Sequence, residues 1–411
     1  MLWADAEHDS RQGQLDEMIS KVCRLVWDYP VRGEATYGLQ PAFVNLSEQQ
    51  VRQGYEVHVV AGRGPGQPEE EVAGGVMVHR VRVPFNLTAL RKVQRVTGTE
   101  PGWVVHPHAT CGVFLVGMRK LRTMKLVAHS HGASRSRHAP IRLRSGEVEM
   151  NYSLARTTYN MVRERTLWSS SDRVLTVSQA LLRDIVESYR VDKEKVRVVY
   201  NGVDTDAFRP RTDAEVPGPL GPLEGKRIIL YVGHFGVRKG VFFLIRAMKN
   251  VSKEVPDAHL VCVGGVPAWL GTRDYWGVLK REIETNGVSG RVTLLDKVKN
   301  RDLAAYYNRA EVFALASYYE SLSKVTMEAM SCGVPVVAAD SGGVPELVDD
   351  GGTGRLVPYG QVNAFADALT SILKDERTAR AMGANGRAKI EKGFTWQAVA
   401  DRVRSAYDEL N

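Results

Sequence analysis

Glu320 and Glu328 are separated by seven residues, and the run between them reads as a turn that becomes a helix. Ser323 suits the N-cap, Gly333 suits a left-handed position just past the end, and Pro335 stops the helix from resuming. The apolar run Val312-Phe313-Ala314-Leu315-Ala316 before it has the length of a buried strand. Glu320 therefore falls in a strand-to-helix turn, and Glu328 in the second turn of the helix. The N–H groups of Ser323, Lys324 and Val325 at the helix start lack intrahelical acceptors, and such groups bind anions. Two carboxylates beside an anion site suit a ligand with a charged middle and hydroxyl-bearing ends. A plainer alternative stays open at this level. Glu320 is then a loop acid, and Glu328 a solvated residue paired with Lys324 at only ~0.2–0.5 kcal/mol.

Three further loops follow strand-like runs. Gly38 lies in the loop after the first strand, where a glycine lets backbone approach a ligand closely. His129-Ser130-His131-Gly132 follows the strand Lys125 to Ala128. His234 to Gly240 follows the strand Ile228 to Val232 and puts Arg238 and Lys239 at a helix start. A lysine there opposes the helix dipole unless an anion sits beside it, and a phosphate would remove the conflict. Two other motifs fail. Gly62-Arg63-Gly64-Pro65-Gly66 leads into another strand, whereas the dinucleotide fingerprint needs a helix after its turn. Asp204-Thr205-Asp206 imitates an acidic metal clamp, but short acidic patterns are common in loops.

The elements that must position these residues come in two series. With 411 residues, 44% of them apolar, the chain is long enough for two or three domains with real cores. Residues 1–20 read as a polar leader. Residues 21–206 alternate strands with helices, 207–226 are rich in proline and glycine and read as a linker, and 227–393 alternate again. Residues 394–411 form an amphipathic helix with Trp396, Val399, Val403 and Tyr407 on one stripe. The pattern predicts an α/β protein of two doubly wound lobes with parallel sheets covered on both faces, facing across a cleft. In such sheets ligands bind beyond the carboxyl ends of the strands.

Cys23, Cys111, Cys262 and Cys332 lack metal-type spacing and read as buried thiols in a reducing compartment. No apolar run reaches the ~18 residues of a membrane span, and the first twenty residues are too polar for a signal peptide, so a cytoplasmic protein is expected. The formal charge is +8, and residues 117–145 hold eight basic side chains with no acidic one. Such a run is a solvated face, or it meets an anionic partner, either a membrane surface or a phosphorylated acceptor. No zinc, RRM, KH or helix-turn-helix signature accompanies the charge, so nucleic acid is not expected.

Several stretches together carry a resemblance. In the second lobe they are Tyr231-Val232-Gly233 through Lys239-Gly240, Val292 to Val298, Glu320 with Glu328, Ala329-Met330-Ser331-Cys332-Gly333, and Gly342-Gly343-Val344-Pro345-Glu346. In the first lobe they are the Gly38 loop, His131-Gly132, Val174 to Ser178, and Asn201-Gly202-Val203-Asp204. From Lys21 to Leu410 the chain resembles the retaining glycosyltransferases of family four, which have the GT-B fold of two Rossmann-like lobes. The resemblance implies transfer of a sugar from a UDP- or GDP-sugar to a hydroxyl acceptor, lipid-linked or membrane-adjacent, with no metal and no cofactor. Glu320 would meet the donor sugar and His131 would face it. Glu328 would hold the ribose, and Lys239 with Gly233, Arg238 and His234 would surround the phosphates. Backbone at Ser323, Lys324 and Val325 would take the diphosphate and sugar, Gly38 would approach the diphosphate, and Val298 would recognise the base. The terminal helix would cross back onto the first lobe.

This chain departs from the resemblance in two places. His234 stands where many members have arginine, and Ser321 and Ser323 replace glycines, which narrows the room around the sugar. Were the helix continued back to Glu320, carboxylates eight residues apart would lie ~12 Å apart along its axis, against about 5–5.5 Å for double displacement. A front-face mechanism, with the leaving phosphate deprotonating the acceptor, fits better. An epimerase or a phosphorylase on the same scaffold, or a non-catalytic nucleotide-sugar or anionic-lipid binding protein, are the alternatives. A phosphorylase would need a pyridoxal lysine, for which no motif is present.

Overall fold

The computed structural model describes residues 19–31, 39–82, 85–117, 124–134, 141–142, 148–149, 154–211, 223–266 and 275–411. The chain divides into two compact units. One comprises Met1–Arg135, Leu154–Tyr200 and Trp396–Asn411, the other Ser136–Ser153 and Asn201–Thr395. Gly38 and most of the basic run at 117–145 lie outside the described residues, as does most of the segment 207–226.

The strands in chain order are β1 Lys21–Leu25, β2 Glu56–Gly62, β3 Glu70–Ala73, β4 Val76–Val81, β5 Trp103–Pro107, β6 Lys125–Ser130, β7 Ile141–Arg142, β8 Val148–Glu149, β9 Arg173–Thr176 and β10 Val196–Val198, then β11 Arg227–Val232, β12 Ala258–Val263, β13 Val292–Leu295, β14 Val312–Leu315, β15 Val336–Ala339 and β16 Gly354–Val357. In the first unit the order is β10-β9-β6-β5-β1-β2-β4-β3. Every pairing is parallel except β3 with β4, so the wholly parallel sheet read from the alternation is corrected at its edge. The reason is local. Gly74 and Gly75, with φ of 59° and 80°, make the two-residue turn that folds β3 back onto β4.

Burial of alternating valines drives this sheet, and the terminal helix Trp396–Asp408 completes its core. Trp396, Val399, Ala400, Val403, Ala406 and Tyr407 pack with Val22, Tyr29, Phe43 and Leu46, each large side chain worth ~1.5–3 kcal/mol when buried. The loop Gly62 to Gln67 closes on itself, Arg63 Nε donating to the Gln67 carbonyl and Gln67 Oε1 accepting from Gly64 N–H, before β3 begins. The helix expected from about Val148 starts at Leu154, because Val148–Glu149 pairs with Ile141–Arg142 as a short hairpin.

In the six-stranded sheet of the second unit all pairings run parallel in the order β13-β12-β11-β14-β15-β16. This is the 3-2-1-4-5-6 winding whose direction reverses between β11 and β14, the crevice where such sheets bind ligands. Strand β16, which sequence reading missed, closes the edge. Asp204 serves as a local turn cap, its Oδ1 accepting from the N–H groups of Asp206 and Ala207 at 3.1 and 2.9 Å. Arg387 Nη1 donates to the carbonyls of Thr205, Phe208 and Ser331, tying residues 205–208 to the helix Lys324–Ser331. The four cysteines are buried free thiols. Among the described residues no helix is long and apolar enough to cross a membrane.

The helix Glu376–Gly393 crosses the end of Lys324–Ser331 so closely that a Cβ at Gly383 would lie 2.0 Å from the Gly333 carbonyl oxygen. Such overpacking costs about 1–3 kcal/mol, and at ~2–4 °C per kcal/mol for a unit of this size Gly383→Ala should lower the thermal midpoint by several degrees. A midpoint equal to that of the wild type would refute this close packing.

Candidate active site

The loops that leave β11 and β14, neighbours at the reversal point, bring the charged groups of the second unit together. After β11 the chain makes a short turn, Val237–Lys239, then passes through Gly240 at φ 65° into the helix Val241–Glu254. A Cβ at Gly240 would sit 2.0 Å from the Ala316 carbonyl oxygen, so only glycine allows this approach to the β14 loop. The loops are then joined by backbone, with Tyr318 N–H donating to Arg238 O at 2.8 Å. Arg238 Nη1 donates to Tyr319 O at 2.6 Å, and Lys239 Nζ contacts Glu320 Oε1 at 2.5 Å. From the far side the chain at Gly342 presses on Glu320. Gly343 N–H donates to Glu320 O at 2.8 Å, and Gly342 has φ 56° with no room for a Cβ. Ser341 Oγ donates to Ser317 O, tying this segment to the β14 loop.

Lys239 and Glu320 both have side chains about a tenth exposed, at 11% and 12%, so water screens their pairing only weakly. Burial raises the Glu320 pKa, but the Lys239 and Arg238 cations and the Lys239 hydrogen bond outweigh it and hold the carboxyl at about 2. Lys239 lies in the turn ahead of the helix, and the anion beside it is Glu320. The conflict with the helix dipole read from sequence is thus relieved by a protein carboxylate. His234 is driven the other way, down to about 3, by burial and by the cations of Lys239 and Arg238. It therefore stands as a neutral hydrogen-bonding group where an arginine would bring charge. Tyr231 Oη donates to the His234 carbonyl at 3.0 Å and fixes that loop.

The helix Lys324–Ser331 forms as its sequence dictates. Ser323 caps it, Oγ accepting from Thr326 N–H at 3.3 Å and from Thr326 Oγ1 at 2.8 Å. The N-cap read from sequence is therefore formed, with the Ser323 side chain buried and Ser321 half-buried in the turn. Lys324 and Val325 follow in the first turn, half-buried. Glu328 is not the solvated residue of the plainer reading, being only 1% exposed. Tyr307 Oη donates to its Oε2 at 2.9 Å, and Lys324 Nζ lies 3.1 Å from its Oε1. Oε1 nevertheless accepts no hydrogen bond of good geometry. A buried carboxylate oxygen in that state is a ready acceptor for ligand hydroxyls. Gly233 and Val298 sit half-buried at the carboxyl ends of β11 and β13.

His131 belongs to the first unit. It comes directly after β6, which runs through His129 and Ser130, two residues the sequence placed in the loop. The loop beyond is anchored by Glu164, whose carboxylate accepts from Ser134 N–H at 3.2 Å, Ser134 Oγ at 2.8 Å and Tyr189 Oη at 2.6 Å. His131 lies in a group that sequence reading missed, with His106, His108 and His129. The signal was present, since His106-Pro107-His108 and His129-Ser130-His131 put both pairs of rings on one face of adjacent strands.

Among the described residues, His106, His108 and His129 are the one set whose ligand atoms, all within 4.8 Å of one another, could hold a metal ion. The donor set fits a dication poorly. The charged Arg24 guanidinium lies close enough to depress all three rings, and the ring nitrogens are already engaged, His106 Nε2 with His129 Nδ1, His106 Nδ1 with Tyr407 and His108 Nδ1 with His131.

The chain is similar to known proteins along most of its length. Residues 38–207 match Glycosyltransferase Family 4, and residues 214–389 match Glycosyl transferases group 1. A D-inositol 3-phosphate glycosyltransferase of Mycolicibacterium paratuberculosis is 29% identical over 374 residues, 87% of this chain and 82% of that protein. Spore coat protein SA of Bacillus subtilis is 29% identical over 248 residues, 58% of this chain and 65% of its own length. The structure of Anabaena HepE in complex with UDP and glucose superposes with a TM-score of 0.75 at 19% identity, covering 95% of this chain and all of that one.

The Glu320 carboxyl lies below its ordinary 4.5, so the fold favours its ionised form. That contribution is complete above about pH 4.5 and is lost as pH falls toward 2. The stability difference between wild type and Glu320→Gln, measured by urea melts, should be constant above about pH 5.5 and shrink with acidification. A difference that grows on acidification would refute the pairing.

Proposed function

We propose, from the premise that the chain belongs to glycosyltransferase family 4, that it moves a sugar from a UDP-sugar to a hydroxyl of a phosphate-bearing acceptor with retained anomeric configuration. The observation that carries the reading is the buried contact of Lys239 and Glu320 at 2.5 Å, at the reversal point of a 3-2-1-4-5-6 sheet. Uridine as the base is supported by the UDP in the HepE complex, and a phosphate-bearing acceptor by the name of the mycobacterial relative and by the basic residues at 117–145.

The chemistry asks for two stabilisations, one for a departing diphosphate and one for a sugar that becomes cationic. Lys239 and Arg238 supply fixed positive charge to the diphosphate, and the N–H groups at the start of Lys324–Ser331 add the helix dipole of roughly half a charge. Neutral His234 contributes a hydrogen bond. These groups neutralise the leaving group through protein atoms and require no metal. Glu320, ionised and held by Lys239, accepts from sugar hydroxyls and places negative charge beside the developing cation. Glu328, whose buried Oε1 accepts no hydrogen bond of good geometry, accepts from ribose hydroxyls. The family pattern gives His131 a role at the sugar. With Glu320 engaged by Lys239, an oxygen of the leaving phosphate is the base that takes the acceptor proton. The basic run draws in the anionic acceptor, and a membrane surface is the competing occupant of that run.

UDP should raise the thermal midpoint of the wild type by the ligand-linkage amount, ~2.7 kcal/mol at a hundredfold excess over Kd, and GDP should not. The shift should be much reduced in Glu328→Ala. Equal shifts with both nucleotides would overturn the base assignment. Lys239→Ala should lower kcat/KM for transfer by ~10²–10³-fold, as removal of a charge-stabilising donor does elsewhere. Unchanged transfer would overturn the site. Proton NMR of the product at early times should show the donor's anomeric configuration; an inverted product would remove the front-face mechanism.

A further inference from the structure

His106, His108, His129 and His131 form a two-by-two slab at the carboxyl ends of β5 and β6. His106 stacks on His108 with centroids 4.8 Å apart and planes 10° from parallel, and His129 on His131 at 4.4 Å and 20°. Hydrogen bonds run across the slab, His108 Nδ1 with His131 Nε2 at 2.8 Å and His106 Nε2 with His129 Nδ1 at 3.3 Å. All four residues are at most 8% exposed. Tyr407, on the terminal helix, closes one corner with its hydroxyl 2.5 Å from His106 Nδ1. Phe43 packs edge-on against His108 at 5.5 Å. Burial and the neighbouring Arg24 hold His106, His108 and His129 far below the usual histidine range, so each is a neutral ring with one donor and one acceptor. A hydrogen bond between two imidazoles fixes which nitrogen of each carries the proton and holds both ring planes.

We propose that His108 is a positioning residue for His131, setting the ring plane and the tautomer of the sugar-facing histidine through the Nδ1 to Nε2 hydrogen bond, while the slab holds His108 itself. The inference rests on the reading of His131 as a sugar-facing residue. His108 has no other evident task. It is buried, its Nε2 has no hydrogen-bond partner, and its Nδ1 engages His131. A ring on its own strand end would be free to turn about its two side-chain torsions. The stack and the shared hydrogen remove that freedom before any ligand arrives, which is what preorganisation requires.

The atoms involved give a specific test. An asparagine amide reproduces the position of a histidine Nδ1, whereas a glutamine amide reproduces Nε2. His108→Phe keeps a flat ring and should lower kcat for sugar transfer by ~10–100-fold, the usual effect of losing an orienting partner. KM for the donor and the UDP-induced thermal shift should change less than ~3-fold, because the nucleotide residues lie in the other unit. His108→Asn should restore much of the activity and His108→Gln should not. In a His131→Ala background, His108→Phe should cost nothing further. If His131→Ala is inactive while His108→Phe transfers as well as wild type, the positioning role is overturned and the function stands. If His131→Ala is fully active, the reading of His131 itself fails. Should His108→Phe not fold, long-range proton–nitrogen NMR of the wild-type rings decides. One proton shared between His108 Nδ1 and His131 Nε2 supports the role, and protons on both nitrogens or on neither overturn it.

Discussion

The second unit depends on one constraint: a lysine and a glutamate are held in contact where little water can screen them. Breaking a buried pair by removing one partner typically costs 3–5 kcal/mol, so the loops that carry Lys239 and Glu320 have little freedom to separate. The backbone enforces the same geometry. Gly240 lets the β11 loop touch the Ala316 carbonyl, and Gly342 lets a third segment press on Glu320, each at a position where any Cβ would collide. Charge and steric fit thus fix the same point, the reversal of the sheet between β11 and β14. Glu328 completes this part from the next helix, buried and tethered by Tyr307 and Lys324.

The first unit meets a different requirement with different means. Here the polar groups are imidazoles, and the order comes from stacking and shared hydrogens instead of opposite charges. Burying His106, His108 and His129 is tolerable because each stays uncharged, and because hydrogen bonds among the four rings replace much of the lost hydration. The terminal helix is part of this arrangement. Trp396, Val399 and Val403 seat it on the core, and that seating delivers the Tyr407 hydroxyl to His106, 301 residues away in sequence. The GT-B glycosyltransferase fold of this chain therefore combines an ion-paired half and an imidazole-stacked half.

Much of the candidate site was legible in the residues. The Ser323 cap, the helix that carries Glu328 and the loops after β11 and β14 follow from local rules: apolar runs of strand length, a capping hydroxyl, and glycines where φ turns positive. What failed to show were facts that need a partner from afar. Glu328 looked like a surface residue on the helical wheel, because nothing in the stretch says that Tyr307 packs over it. Lys239 looked in need of a phosphate, because the sequence does not place Glu320, 81 residues on, beside it. The slab escaped notice because each His-X-His pair is ordinary alone, and only the β5–β6 pairing sets one against the other. The antiparallel edge at β3 was within reach, since Gly74-Gly75 between two strand-like runs is a hairpin turn signal.

The sequence by itself determined the elements, their alternation and the family to which they belong. These rest on periodicity, caps and turn residues, which act within a few positions of the chain. The tertiary structure decided the ionisation of Glu320, the neutrality of His234, the burial of Glu328 and the pairing of the four imidazoles. Each depends on how much water and how much charge surround a group. Those surroundings come from loops and strands that meet only when the sheets have formed.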